Sequence, residues 1–238
     1  ETKSDESPLT EADKNAHLVI SGFLDKTGIP VLSEEGAQTP FEERKKWDRF
    51  WMVDPLDGTK EFIKRNGEFT VNIALIENGT PVLGIVYIPV SEELYWGDVK
   101  LSEAYYQKKR EEVKALPSKS EREVLWEVIP GHKAVMHGRV GSKVRILCSR
   151  SHMNVETLKF IEQFEGNDEV PMGSSLKFLK IAEGVADIYP RFGPTMEWDT
   201  AAAHAVIKAC GYHIKNTNTY EELIYNKPDL LNPHFMAF

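Results

Sequence analysis

A layered protein of mixed α+β and α/β class is what this sequence predicts, and three observations predict it. In the first half, strand-like runs follow one another across the turn pairs Asn66-Gly67 and Asn78-Gly79, which makes an antiparallel meander. In the second half, strand-like runs alternate with helical ones, the mark of an α/β layer. The length, 238 residues, exceeds one average domain of ~150 and falls short of two. Two closely fused halves, 1–142 and 143–238, satisfy all three.

The elements follow in order. Residues Glu1 to Ser7 are polar and form a loose end. Thr10 caps a helix with Asp13 three residues on, and Ala16, Leu18, Val19, Ile20, Phe23 and Leu24 supply its apolar face. Gly28-Ile29-Pro30 stops it. Val31-Leu32 is a short strand that delivers the acidic turn Ser33-Glu34-Glu35-Gly36. Arg49 to Val53 is a strand broken at Asp54-Pro55, because Pro55 holds residue 54 away from helical geometry. A short helix runs from Gly58-Thr59 to Arg65. Strands are expected over 69–77, 82–89 and 94–99. From Ser102 to Lys143 the pattern is weak, charged and interrupted by Gly131, Gly138 and Gly141, so it reads as irregular or hairpin excursions at the junction of the halves. Strands over 144–148, 186–189 and 212–215 then alternate with helices over 155–164, 176–182 and 199–209, the last capped by Asp199 and stopped at Gly211.

Composition excludes several classes. Hydrophobic residues at 41% and charged ones at 28% are those of a globular chain, not of a disordered or fibrous one. No apolar run approaches the ~20 residues that cross a bilayer, and no signal-peptide core opens the sequence. Cys148 and Cys210 are far apart, which argues against a disulfide scaffold or zinc site and fits a reducing cytoplasm. The net charge of −8 disfavours a nucleic-acid binder. An acidic protein that handles an anion needs a local cation, either Arg/Lys or a bound metal.

Asp54-Pro55-Leu56-Asp57-Gly58-Thr59 is the informative segment. An apolar strand ends in two aspartates, and a glycine turn leads into a helix, where α/β enzymes place anions. Two carboxylates there repel a phosphate unless a cation sits between, and hard oxygen ligands select Mg²⁺ or a similar ion. The competing account is a pair of Asx-turns around Pro55 and Gly58. Glu34-Glu35 is either an exposed acidic loop or a second set of ligands. Asp199 is either a helix cap or a ligand, and Asp13 completes the cap begun by Thr10. The Asp-x-x-Asp-Gly-Thr spacing differs from the Asp-x-Asp-x-Thr of aspartyl-nucleophile phosphatases, which disfavours that mechanism.

Together, Glu34-Glu35, the run from Trp51 to Thr59, and Trp198-Asp199 resemble the three signatures of the lithium-sensitive, Mg²⁺-dependent inositol monophosphatase superfamily. The run from Asp57 to Ala74, Gly173-Ser174-Ser175-Leu176-Lys177-Phe178, and Tyr189-Pro190-Arg191-Phe192-Gly193-Pro194 are similar to its bacterial 3'(2'),5'-bisphosphate nucleotidase branch. Lys60-Glu61-Phe62 stands where inositol monophosphatases usually have Thr-Asn-Phe. Relatives carry a further helix ahead of the Thr10 segment, and residues 100–141 are more charged than the branch leads one to expect.

The resemblance implies an α-β-α-β-α sandwich of the inositol monophosphatase and fructose-1,6-bisphosphatase type. It implies that Glu34, Asp54, Asp57, Asp199 and the Leu56 carbonyl hold two or three Mg²⁺ ions, the first half supplying most ligands and the second supplying Asp199 and part of a nucleotide pocket. Thr59 and Asp13 would orient and deprotonate a water. Gly58 and Thr59 N–H groups would hold the phosphate, and Glu34, Leu56, Asp57 and Asp199 would also meet the substrate. Gly173, Ser174, Ser175, Lys177 and Arg191 would receive the rest of it. The implied activity is Mg²⁺-dependent hydrolysis of adenosine 3',5'-bisphosphate, a nucleotide of sulfur metabolism, to AMP. The alternative is the same chemistry on inositol or sugar phosphates, which Lys60-Glu61 disfavours. The implied chain is a cytoplasmic monomer or homodimer, or one peripheral to the inner membrane face, with a small nucleotide as its only partner. Trp51, Trp198 and Phe192 read as core rather than stacking platforms, and His17 and His204 as packed helix residues rather than ligands.

Overall fold

A computed structural model of the chain describes residues 10–37, 39–109, 111–119, 125–127, 135–137, 143–149, 153–164 and 166–238. The opening Glu1–Ser7 segment, Gly131, Gly138 and Gly141, and the expected boundary at 142 lie outside the described residues.

Helix α1 (Glu11–Leu24) starts with the expected capping box between Thr10 and Asp13. It leads through a 3-10 turn to β1 (Val31–Ser33), which pairs in parallel with β2 (Arg49–Asp57) after the short α2 (Phe41–Arg44). Beyond α3 (Thr59–Lys64) the chain makes an antiparallel meander of β3 (Thr70–Glu77), β4 (Thr80–Ile88), β5 (Glu93–Asp98), β6 (Glu103–Lys108) and β7 (Lys114–Ala115). With β1 and β2 these form one seven-stranded sheet in chain order. A ribbon of β8 (Leu125–Glu127) and β9 (Val135–His137) precedes β10 (Arg145–Ser149), which pairs in parallel with β11 (Asp168–Met172) across α4 (Val155–Ile161). Then come α5 (Leu176–Ala182), β12 (Tyr189–Arg191), α6 (Glu197–Ala209), β13 (Ile214–Asn216) and β14 (Phe235–Ala237), with β14 between β12 and β13.

Strand alternation reveals the layers. On β2, Met52 enters the core shared with α6, while the Trp51 indole N–H on the other face donates to Thr27 just beyond α1. On β10, Leu147 joins that same core, while Ile146 and Cys148 turn to a second one with Ile161 and Phe164 around α4. The stacking is therefore α1, large sheet, α5 and α6, small strands, α4.

The Ala-rich α6 lies unusually close to the large sheet. Ala74, Gly84, Gly97 and Ala104 stand opposite one another across four adjacent strands. A Cβ on Gly84 would lie 2.0 Å from the Ala202 carbonyl oxygen, and one on Gly97 would lie 2.7 Å from Val206 Cα. Only glycine permits that approach.

Four expectations are corrected. Strand β2 does not break at Asp54-Pro55 but continues to Asp57, with a bulge against β3 between Asp54 and Asp57. Pro55 lies past the β1 pairing and inside the bulge, so its missing N–H interrupts no ladder there. The weak region after Ser102 contains β6 and β7, which extend the sheet. Leu18, Val19 and Phe23 do not form the buried face of α1: they are 61–68% exposed, and the docked side carries the half-buried Ala16, Ile20 and Leu24 together with Asp13 and His17. Finally, α6 begins at Glu197, two residues early, which makes Asp199 a third-position residue reaching back to the Met196 N–H at 2.8 Å.

Candidate active site

The site forms where β1 and β2 end and α6 begins. Glu34 follows β1, and its N–H donates to the Val53 carbonyl at 3.0 Å, which keeps it beside the end of β2. Asp54 is 1% exposed; its Oδ1 accepts the Leu56 N–H at 3.0 Å, an Asx-turn across Pro55, while its Oδ2 has no hydrogen-bond partner. The Asx-turn is thus real, and it leaves the second oxygen for other work. Asp57 Oδ2 accepts from Ser174 Oγ at 2.5 Å, Ser175 N at 2.7 Å and Thr70 Oγ1 at 3.4 Å. Asp54, Asp57 and Asp199 each bring an oxygen within 4.8 Å of the others.

Burial and mutual repulsion act in the same direction here. Burial pushes the Asp54 carboxyl well above the usual carboxylate range, and Glu34, Asp57 and Asp199 push it further. Asp199 is raised in the same way, by burial first and then by Asp57 and Glu34. Glu34 is half-buried and within hydrogen-bonding reach of Asp54, so it is not an exposed acidic loop. Four crowded acids with an orphaned buried oxygen are stabilised by a cation. An all-oxygen donor set of this charge fits a hard divalent ion such as Mg²⁺.

Beside the acids, Thr59 is buried at the first position of α3, and its Oγ1 donates to Asp13 Oδ1 at 3.4 Å. Asp13 Oδ2 meanwhile accepts from Thr10 N at 2.8 Å and Thr10 Oγ1 at 2.5 Å. The capping and pairing roles of Asp13 therefore coexist, one per oxygen. Gly58 precedes Thr59 with φ 94°, a conformation side chains resist, and a Cβ there would also press on the Glu68 carbonyl at 3.1 Å.

Glu34, Asp54, Asp57, Asp199, Gly58 and Thr59 border one cavity of about 210 Å³, which Gly173, Ser174, Ser175, Lys177 and Arg191 also line, while the fully buried Asp13 stands behind Thr59 and is not part of its wall. The Ser174 hydroxyl and the Ser175 N–H donate to Asp57, the Ser175 hydroxyl donates to Asn72, and the Gly173 N–H donates to Glu68 Oε2 at 2.9 Å. Lys177 is 4% exposed; its ammonium donates to the Ser174 carbonyl at 2.6 Å and lies 5.1 Å from the Tyr189 ring centre. Burial pulls it down to about 8. Arg191 donates from Nη2 to the Pro194 carbonyl, and its Nε is buried without a partner.

The remaining assignments divide. Trp198 is buried in the core, whereas Trp51, also expected there, is half-buried on the α1 side of β2, and Phe192 is half-buried with its ring 5.8 Å from Phe160. His17 bonds Ser33, and the buried His204 bonds Tyr225 and Glu222. Sequence reasoning missed Thr70 and Asn72, both fully buried behind Asp57. Their signal was a pair of polar residues at alternate positions in an otherwise apolar strand. It also missed Glu197, wholly buried, which accepts the N–H groups of Asn226 and Lys227 and so anchors the start of α6 next to Asp199.

A five-layer fold with clustered carboxylates at a strand end and a Thr–Asp pair alongside defines a cation-dependent phosphate-ester hydrolase. The chain belongs to the inositol monophosphatase family, whose model matches residues 1–234. It is 44% identical over 235 residues to the 3'(2'),5'-bisphosphate nucleotidase CysQ of Salmonella typhimurium, covering 98% of this chain and 86% of that one. The crystal structure of CysQ from Bacteroides thetaiotaomicron superposes with a TM-score of 0.80 at 43% identity, covering 99% of this chain and 86% of that one. At 17% identity, an IMPase/NADP phosphatase complexed with Mg²⁺ and phosphate shares the fold, with a TM-score of 0.70 and coverage of 100% and 80%. Among the described residues no helix is long and apolar enough to cross a membrane.

Proposed function

We propose that this chain is a Mg²⁺-dependent 3'(2'),5'-bisphosphate nucleotidase that converts adenosine 3',5'-bisphosphate to AMP and phosphate. The observation that carries it is that the carboxylates of Asp54, Asp57 and Asp199 converge in the cavity that Lys177 and Arg191 also line. A substrate with two phosphates needs both features: a cation cluster for the ester that breaks and fixed positive charge for the phosphate that stays.

Glu34, Asp54, Asp57, Asp199 and the Leu56 carbonyl would hold two or three ions. When bound, Mg²⁺ supplies charge neutralisation and activation of water for in-line attack on phosphorus. Thr59 Oγ1 donates to Asp13, so its lone pairs are directed at the incoming water. As the water attacks, Thr59 takes its proton while handing its own to Asp13 Oδ1. The N–H groups of the first turn of α3 have no intrahelical acceptor and would meet the phosphate with Gly58. Gly173 and the two serines would border the nucleoside. The two halves, 1–142 and 143–238, would divide the work, since Asp199, Lys177 and Arg191 come from the second. The working unit is a monomer or a homodimer. A cytoplasmic setting goes with Cys148 and Cys210 standing as buried thiols rather than as a disulfide.

Phosphate release measured over adenosine 3',5'-bisphosphate and inositol 1-phosphate, with Mg²⁺ and with EDTA, tests the proposal. Release from the nucleotide, abolished by EDTA, is expected. Release from inositol 1-phosphate alone would overturn it.

A further inference from the structure

Behind Asp57, on the side away from solvent, three hydroxyls and an amide form a closed group. Thr70 Oγ1 lies 2.8 Å from Ser174 Oγ and 2.7 Å from Ser175 Oγ, and Ser175 Oγ lies 3.0 Å from Asn72 Oδ1. Thr70, Asn72 and Ser175 are each at most 1% exposed. Each hydroxyl has a single hydrogen to give. Ser174 gives its own to Asp57 Oδ2, and Ser175 gives its own to the Asn72 carbonyl oxygen, which can only accept. Thr70 is left as the donor within the group, and its acceptors are the two serine oxygens and, at 3.4 Å, Asp57 Oδ2 itself. Along the branch from Thr70 through Ser174 to Asp57 the donors run head to tail and polarise one another toward the carboxylate, while the Ser175 hydroxyl turns to Asn72.

The consequence falls on Asp57. Its Oδ2 accepts the Ser174 hydroxyl and the Ser175 N–H, with Thr70 Oγ1 2.8 Å behind Ser174 Oγ, so the carboxylate is fixed in rotation and Oδ1 is the oxygen left to a cation. We propose that Thr70 and Ser174 are positioning residues: a hydroxyl brace that presents Asp57 to the metal through one oxygen and thereby sets cation affinity. This rests on the reading of Asp57 as a metal ligand. Its physical basis is that groups bonded to a ligand hold it in the geometry the ion requires, and their loss typically weakens binding ~10–100-fold. Strand β3 supplies Thr70 and the 173–175 turn supplies the serines, so the brace also ties the first half of the chain to the second at the site.

The test is direct titration of the substrate-free protein with Mn²⁺, followed by electron paramagnetic resonance, together with thermal melts in EDTA. Thr70→Val keeps the shape and removes the hydroxyl, and its Mn²⁺ dissociation constant should rise about tenfold or more. Thr70→Ser restores the hydroxyl and should return it to within about twofold, a recovery that a purely packing role would not produce. Should Thr70→Val fail to fold by its melt, Ser174→Ala, which removes the hydroxyl bonded to Asp57 Oδ2, should show the same weakening. Unchanged Mn²⁺ affinity in the folded hydroxyl-less variant, or a Thr70→Ser as weak as Thr70→Val, would overturn the brace. A wild type that takes up no Mn²⁺ would remove the metal reading and the brace with it, which separates the two failures.

Discussion

Thr59 Oγ1 and Asp13 Oδ1 stand 3.4 Å apart, the hydroxyl donating to a carboxylate whose other oxygen already caps α1. The two oxygens of Asp13 therefore carry separable burdens. Asp13→Asn leaves one oxygen for two tasks, and kcat should fall ~10²–10⁴-fold, the usual span for losing a positioned acid–base group. Thr10→Ala strips the cap alone; about 1 kcal/mol of stability should go while kcat stays near wild type. Steady-state kinetics beside urea unfolding would separate the two, and equal kinetic losses in both variants would refute the division.

Neutralising Asp54 should have opposite effects with and without a cation. Its carboxyl is held well above the usual range by burial and by three neighbouring acids, so the cation-free protein is strained by it. Asp54→Asn should raise the melting temperature in EDTA and abolish most of the further rise that Mg²⁺ gives the wild type. A melting temperature that drops in EDTA would count against the crowding argument.

Gly84→Ala tests how closely α6 must sit. The added methyl would meet the Ala202 carbonyl oxygen and the Ala205 methyl, both on the helix that bears Asp199. Overpacking of this kind costs ~1–3 kcal/mol or more, and lifting the helix should weaken cation binding as well. Differential scanning calorimetry with cation titration would detect both, and a neutral substitution would show that the contact is not tight.

Acid should destabilise the fold first through His204. Burial holds this imidazole below its ordinary 6.5, so the unfolded chain takes up a proton there before the folded one does. Stability contributed this way is complete above about pH 6.5 and declines as the pH falls below it. Glu222, which bonds both His204 and His213, is itself held far below its ordinary 4.5, so its contribution is lost only at still lower pH. Urea midpoints should fall from pH 7 to pH 5, and His204→Asn should flatten that segment.

Asp54 and Asp57 were legible from sequence because their chemistry is local: an acid pair at a strand end before a glycine turn. Glu34 and Asp199 are each adequately explained by loop or cap chemistry, and resemblance alone joined them to the others. Thr70 and Asn72 escaped because their partners lie a hundred residues away, beyond any periodic pattern. Charge hid β6, an outer strand whose polar residues alternate with Ala104 and its neighbours. The three-residue β14 is too short to announce itself; it exists because β12 and β13 flank it. Leu18, Val19 and Phe23 misled because α1 carries apolar residues on more than one side, and the side that docks is the one shared by Asp13 and His17 with Ala16, Ile20 and Leu24.

The trough of Ala74, Gly84, Gly97 and Ala104 has a consequence for how the chain is born. Its strands leave the ribosome well ahead of α6, since about a hundred residues separate Asp98 from Glu197. At ~5–20 residues per second, that is a delay of ~5–20 s in which half a core waits uncovered. Translation stopped before Glu197 yields an apolar ledge without its lid and an acid cluster without Asp199. Nascent chains of this protein should therefore lean on chaperones until α6 has emerged.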